Sequence, residues 1–179
     1  GKTVVFMGGK KGSQPLEVSI WTAPLAGGEA KQITQIPSPT QDRYPCWSPD
    51  GKSVAFLRYK PGAEPIPHIF VTSSEGGAAR QITSEYNKVD LGSIDWSPDG
   101  KTIAYFSRDN TINLIPAEGG EHKVLSDVGS SGHNWFSDLA WSPDGNELAY
   151  TSADRLMVVS LKKSQTREVQ TGVLEKGVA

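Results

Sequence analysis

Asp50, Asp99 and Asp144 are the residues in this chain whose type and spacing most invite a chemical reading. Each stands fourth in the same phrase: Trp47-Ser48-Pro49-Asp50-Gly51-Lys52, Trp96-Ser97-Pro98-Asp99-Gly100-Lys101 and Trp141-Ser142-Pro143-Asp144-Gly145-Asn146. Evenly repeated carboxylates could ligate a metal or share acid–base work. Their context argues otherwise. Pro presets φ, Asp bonds the backbone beyond it and Gly accepts positive φ, so Ser-Pro-Asp-Gly is turn chemistry that uses the carboxylate locally. Three such turns on three repeats also lie too far apart to share an ion. The histidines His68, His122 and His133 fall in different repeats without paired-His metal spacing. Gly129-Ser130-Ser131-Gly132-His133 lacks the spacing and following helix of a nucleophile elbow. Gly8-Gly9-Lys10-Lys11-Gly12 likewise lacks the spacing and helix of a phosphate loop. Glycoside hydrolysis needs two facing carboxylates, and the sequence pairs none. The expectation is no catalytic residue, no metal and no cofactor.

The elements that carry these turns repeat as well. The tryptophans are 49 and 45 residues apart, a period that signals repeat architecture. After each turn comes a β-rich run: Ser53-Val54-Ala55-Phe56, Thr102-Ile103-Ala104-Tyr105 and Glu147-Leu148-Ala149-Tyr150. Gly1-Lys2-Thr3-Val4-Val5-Phe6 fits the same frame without the preceding phrase, giving a fourth repeat. Third strands follow at Val18–Trp21, Ile69–Thr72, Ile112–Ile115 and Leu156–Val159. Turns with Gly27-Gly28, Gly76-Gly77 and Gly119-Gly120 then lead to fourth strands such as Lys31-Gln32-Ile33-Thr34 and Arg80-Gln81-Ile82-Thr83. No segment shows a helical period, and Gly, Pro, Asn and Asp cut the long segments every eight to twelve or so residues, the pattern of all-β structure. Four antiparallel strands per repeat make one blade of a β-propeller. The repeated Trp is then a packing residue between blades. The repeats span approximately 1–40, 41–88, 89–132 and 133–179 of a single propeller domain, 1–179.

Composition narrows the partners. The 179 residues carry a net charge of -2, with no basic stripe of the kind nucleic acid requires. Cys46 is the only cysteine, so an internal disulfide is excluded, and it reads as a small buried hydrophobe beside Trp47. No apolar run reaches the roughly 20 residues of a membrane helix, and the N-terminal run is too short for a signal peptide.

The Trp-Ser-Pro-Asp-Gly-Lys phrase, with Ile103-Ala104-Tyr105-Phe106-Ser107-Arg108-Asp109 and Gly119-Gly120 after it, resembles the TolB-like β-propeller repeat, a relative of the Trp-Asp repeat. The resemblance implies a periplasmic or extracellular bacterial protein and a role in binding a protein or peptide. Similar blades also occur in the propellers of prolyl-oligopeptidase-type serine peptidases, where they gate substrate, and a sugar-active propeller enzyme is a further alternative. Propellers of this family usually have more than four blades, so the expectation is part of a larger propeller. A four-bladed ring closed by Leu174-Glu175-Lys176-Gly177-Val178, or two chains closing an eight-bladed ring by self-association, are the alternatives.

Propellers place function in their loops. The connections between repeats, and those between the second and third strands, fall on one end of the ring and hold the non-repeating residues. Asp42, Arg43 and Tyr44 enter the second repeat, followed by His68 and then Tyr86 and Asp90. Arg108 and Asp109 lie in the third, and His133, Asn134 and Trp135 open the fourth in a Gly-Ser-rich loop. Tyr, Trp and Arg are the types enriched at interaction hot spots. Asp42, Arg43, Arg108 and Asp109 are also expected to pair with adjacent blades.

Overall fold

The computed structural model describes residues 1–9, 17–36, 39–60, 66–128, 138–152 and 155–169. They form four antiparallel sheets and no α-helix. Sheet I holds β1 (Thr3–Gly9), β2 (Val18–Pro24) and β3 (Lys31–Gln32). Sheet II holds β4 (Gln41–Trp47), β5 (Ser53–Tyr59), β6 (His68–Ser73) and β7 (Arg80–Gln81). Sheet III runs β8 (Val89–Trp96), β9 (Thr102–Ser107), β10 (Thr111–Pro116) and β11 (Lys123–Asp127). Sheet IV runs β12 (Leu139–Trp141), β13 (Glu147–Ser152), β14 (Arg155–Ser160) and β15 (Thr166–Val169). Each strand pairs with the next in sequence, so every sheet is a simple meander. Sheet I departs from the four-strand expectation. Its β1 corresponds to the second strand elsewhere, so among the described residues it has no inner strand. Leu174–Val178 lie outside the described residues.

The repeated phrase folds the same way three times. The Ser48 hydroxyl donates to Asp50 Oδ1 at 2.7 Å, and Asp50 Oδ1 also accepts from the Lys52 amide at 3.0 Å. Ser48 Oγ in turn accepts from the Ser53 amide at 2.9 Å, which starts β5. Ser97–Asp99–Lys101–Thr102 and Ser142–Asp144–Asn146–Glu147 repeat all three bonds at 2.6–3.1 Å. The carboxylates are consumed by the hairpin, and burial plays almost no part in their acidity. The serine hydroxyl, then the backbone amide, holds Asp50 and Asp99 below the usual range. Asp144 gains a second side-chain donor, Asn146, and falls to about 2.

The fourth strands of sheets I and II are shorter than the sequence predicts, two residues each. Beyond them a side chain takes over the ladder. Ile33 still donates to Ile20 O, but Thr34 Oγ1 then accepts the Ile20 amide at 2.9 Å. Ile82 and Thr83 repeat this on Ile69, with Thr83 Oγ1 at 2.8 Å. Gln32 and Gln81 complete the clamp by donating to the Thr34 and Thr83 carbonyls.

A sheet with two apolar faces must be covered on both, and stacking does this. Ile20 and Ile33 of sheet I pack on Val54 and Phe56 of sheet II, with Trp47 at the margin. Leu57, Ile69 and Ile82 on the other face of sheet II meet Trp96, Ile103 and Tyr105 of sheet III. Phe106, Ile112 and Leu125 of sheet III meet Leu139, Leu148 and Tyr150 of sheet IV, with Trp141 at the margin. All three repeated tryptophans are therefore packing residues. Sheets III and IV are also joined at their inner strands. Asp95 Oδ2 accepts from the Trp141 amide at 2.7 Å, and Ser93 Oγ accepts from the Leu139 amide at 2.8 Å.

Candidate interaction face

An antiparallel meander puts alternate connections at opposite ends. The Ser-Pro-Asp-Gly and Gly-Gly turns share one end, where a cleft of about 540 Å³ is lined by Asp50, Arg80, Trp96, Asp99 and Glu118. Its polar groups are already committed. Arg80 spans from sheet II to sheet III, donating to the Ala117 and Glu118 carbonyls and pairing with the Glu118 carboxylate at 3.2 Å.

The other end carries the non-repeating residues. Asp42 is fully buried in β4 and receives a bidentate bond from Arg58 of β5, at 2.7 and 2.9 Å. The Arg58 guanidinium lies 5.3 Å from the Phe56 ring centroid and 4.7 Å from that of Phe70. Two aromatic faces and one carboxylate thus hold a cation that is mostly removed from water. This corrects the expected pairing with an adjacent blade, because cross-strand register places Asp42 directly opposite Arg58. Asp109 pairs with Lys88, the residue that leads from the turn into β8, at 2.9 Å. Arg43 donates to Gln41 Oε1 at 3.0 Å, and Tyr59 Oη approaches the same oxygen at 3.3 Å. Tyr44 sits at φ 54° in a bulge of β4, and its amide donates to Met7 Sδ of sheet I at 3.4 Å.

Tyr86 is different. It is 82% exposed, on a 3-10 turn, Glu85–Asn87. The turn is pinned from below. Both the Ser84 amide and its hydroxyl donate to Asn87 Oδ1, at 2.6 and 3.0 Å. Asn87 is itself buried and reaches Tyr105 Oη at 3.4 Å and His122 Nδ1 at 3.0 Å. Lys88 then leaves the turn in the left-handed region at φ 47°. Ile66, 54% exposed just before β6, lies in a connection at the same end. His68 at the start of β6 has a buried Nδ1 without a partner, and burial lowers its pKa against an opposing influence from Glu85. Asp90 is half-buried on β8, and Arg108 is exposed, its amide donating to Lys88 O. His133, Asn134 and Trp135 lie outside the described residues.

Arg58 and Ile66 are the residues that sequence reasoning missed on this end. A signal for Arg58 was present: the aligned positions in the other repeats are Gly8, Ser107 and Ser152, so an arginine there breaks the pattern. Ile66 precedes its strand in a connection without periodicity. Among the described residues, no group of three or more His, Cys, Asp or Glu side chains could hold a metal ion.

Stacked four-stranded meanders with inner strands side by side and polar corner turns define a β-propeller built of blade repeats. The chain belongs to the TolB β-propeller domain family, whose model matches residues 1–170. No curated protein matches it. Among solved structures it is similar to a protein assigned as TolB from Agrobacterium tumefaciens, at 21% identity and a TM-score of 0.72, covering 94% of this chain and 61% of that one. TolB from Acinetobacter baumannii matches at 19% identity and a TM-score of 0.69, over 87% of this chain and 38% of that one. An oligogalacturonate lyase solved in complex with manganese matches at 17% identity and a TM-score of 0.58, over 74% and 37%. The chain therefore spans less than two thirds of each of these proteins, and the likeness is one of fold.

Proposed function

We propose that this chain is a non-enzymatic interaction scaffold that binds a protein or peptide through its loop-rich end, in the periplasm or outside the cell. The observation that carries the reading is Tyr86, an aromatic displayed almost fully to solvent on a turn fixed by Ser84 and Asn87. Holding an exposed tyrosine rigid lowers the entropic cost of engaging it, which favours its use as an anchor. The exposed Lys88–Asp109 pair, two residues on from Tyr86 at Lys88, gives the surface beside it a defined polar rim. No helix among the described residues is long and apolar enough to cross a membrane.

The test is selection of peptides from a displayed library against the chain, followed by titration of the selected peptides with the Tyr86→Ala and Tyr44→Ala variants. Tyr86→Ala is expected to weaken binding by tenfold or more, the loss of about 2 kcal/mol typical of an aromatic hot spot. Unaltered thermal unfolding of the variant would confine the effect to contact. Peptides that bind wild type and Tyr86→Ala equally would overturn this face. A second reading, a sugar-active propeller, draws on the similarity to the lyase. Incubation with oligogalacturonate and Mn²⁺ tests it, with release of an unsaturated product as the positive result.

A further inference from the structure

Asn87, beneath Tyr86, uses both ends of its side-chain amide. Its Oδ1 accepts from the Ser84 amide at 2.6 Å and from the Ser84 hydroxyl at 3.0 Å. Its Nδ2 faces His122 Nδ1 at 3.0 Å and Tyr105 Oη at 3.4 Å. A backbone amide can only donate, so the Ser84 contact fixes which end of the Asn87 amide is oxygen. Nδ2 is then a donor towards His122, and His122 Nδ1 must be the acceptor. The ring is therefore neutral, with its proton on Nε2.

That assignment makes the contact sensitive to a single proton. A protonated imidazole carries donors at both nitrogens and no acceptor. Its Nδ1–H would point at the Asn87 NH2 group across the same 3.0 Å. Two responses are open. His122 can swing away, which leaves a donor of the buried Asn87 without its partner. Alternatively, the Asn87 amide can turn over and offer its oxygen, which sets its NH2 group against the Ser84 amide. Either response breaks a bond of the pedestal that fixes the Glu85–Asn87 turn. His122 is exposed immediately before β11, so protons reach it directly from solvent.

The neighbouring titratable groups leave this role to His122. Tyr105 of β9 keeps its proton, because burial pushes its hydroxyl up to about 12. Glu121 and Lys123 flank His122 in the chain and are exposed. Across the junction of sheets II and III, Arg80 is engaged with Glu118, and beside the turn Lys88 is engaged with Asp109. Glu85, on the turn itself, acts on His68 of β6, whose pKa burial lowers. His68 is thus the competing imidazole, and a variant there is the control.

We propose that His122 is a proton-sensitive latch for the Tyr86 turn: neutral, it holds Asn87 and the turn in place, and protonated, it releases them. Its consequence for binding rests on the reading of Tyr86 as an anchor. A released tyrosine must be ordered again on contact, so the partner is held more weakly in acid.

Nuclear magnetic resonance of the whole chain tests the latch without a partner. At about pH 8 the His122 ring should carry its proton on Nε2. From about pH 8 to about pH 5, the range in which histidine side chains change charge, the Ser84 amide and Asn87 side-chain amide signals should shift in step with His122. His122→Asn places a neutral carbonyl oxygen where Nδ1 stood and should hold those signals constant, while His68→Asn should titrate as wild type does. A proton on Nδ1 at the alkaline end, turn signals that do not follow His122, or a titration that persists in His122→Asn would overturn the latch. Peptides selected from the displayed library then separate the latch from the binding reading. Wild type should bind them at least about fivefold more weakly at the acid end of the range, the lower bound of a typical coupling between sites, and His122→Asn equally at both ends. A titrating latch in a chain whose peptides ignore Tyr86→Ala would defeat the anchor reading and leave the latch standing. Tyr86-dependent binding of equal strength at both ends would defeat the latch and leave the anchor.

Discussion

Asp42 and Ser97 show how much rests on single polar groups in this chain. Asp42 is buried, and its counter-ion among the described residues is Arg58. Asp42→Ala would leave the guanidinium mostly buried against Phe56 and Phe70 without its carboxylate. Breaking such a pair costs about 3–5 kcal/mol, while replacing both partners with apolar residues is often nearly neutral. Urea unfolding of Asp42→Ala, Arg58→Met and Asp42→Leu/Arg58→Met should therefore show the double variant less destabilised than Asp42→Ala alone. Ser97 is buried, and its hydroxyl both donates to Asp99 and accepts the Thr102 amide. Ser97→Ala strands that amide, a loss of about 1–3 kcal/mol for a buried donor left unsatisfied. The same turns set the acid response. Asp50, Asp99 and Asp144 have folded pKa values below 3.8, so they stabilise the fold above that pH and lose this contribution as pH falls through the folded values, to about 2 for Asp144. The melting temperature should drop between pH 4 and 2, and replacing all three by Asn should flatten that drop.

Turns and strands are the level at which the sequence is most legible. Alternating apolar runs and Ser-Pro-Asp-Gly or Gly-Gly punctuation are local signals, so strands β5, β9 and β13 and their hairpins fall where the pattern places them. The fourth strands were readable as segments but not as clamps, because Thr34 and Thr83 imitate backbone donors' partners with a side chain. The candidate face was legible only in its residue types. Asp42 meets Arg58 through cross-strand register, and β4 contains a bulge between Arg43 and Cys46 that no local rule positions. Tyr86 stood out by type, whereas its pedestal depends on Asn87 reaching Tyr105, 18 residues away. The Gly-Gly turns give a prediction that separates local from packing effects. Ala at Gly27, Gly76 or Gly119 incurs a similar left-handed backbone cost of about 1–2 kcal/mol. At Gly76 and Gly119 the new Cβ also presses on the Ile33 or Ile82 carbonyl, whereas at Gly27 it meets open space. Chemical denaturation should rank Gly76→Ala and Gly119→Ala as more destabilising than Gly27→Ala. Equal losses would mean that the inter-sheet approach carries no weight.

Across the whole molecule, stability is distributed as in a stack in which each sheet depends on its neighbours. Sheets II and III are covered on both faces, and sheets I and IV on one face each by the three apolar clusters. The ionic bridges between sheets, Lys31–Glu75 at 3.0 Å and Arg80–Glu118 at 3.2 Å, are solvent-exposed and contribute at most about 1 kcal/mol each. The apolar interfaces must therefore carry the coupling. Phe56 is fully buried between sheets I and II, stacked on Phe70 at 6.0 Å, and its truncation to Ala should cost about 3–5 kcal/mol. Because the loss falls on one junction, its effect on amide exchange should be directional. In wild-type monomer, amides of β5 and β9 should exchange slowest, and those of β1 and β14 earlier. Phe56→Ala should speed exchange throughout sheet I while leaving β13 and β14 near their wild-type rates, since two intact interfaces separate them from the lesion. A uniform rise across all four sheets would instead show a single cooperative unit.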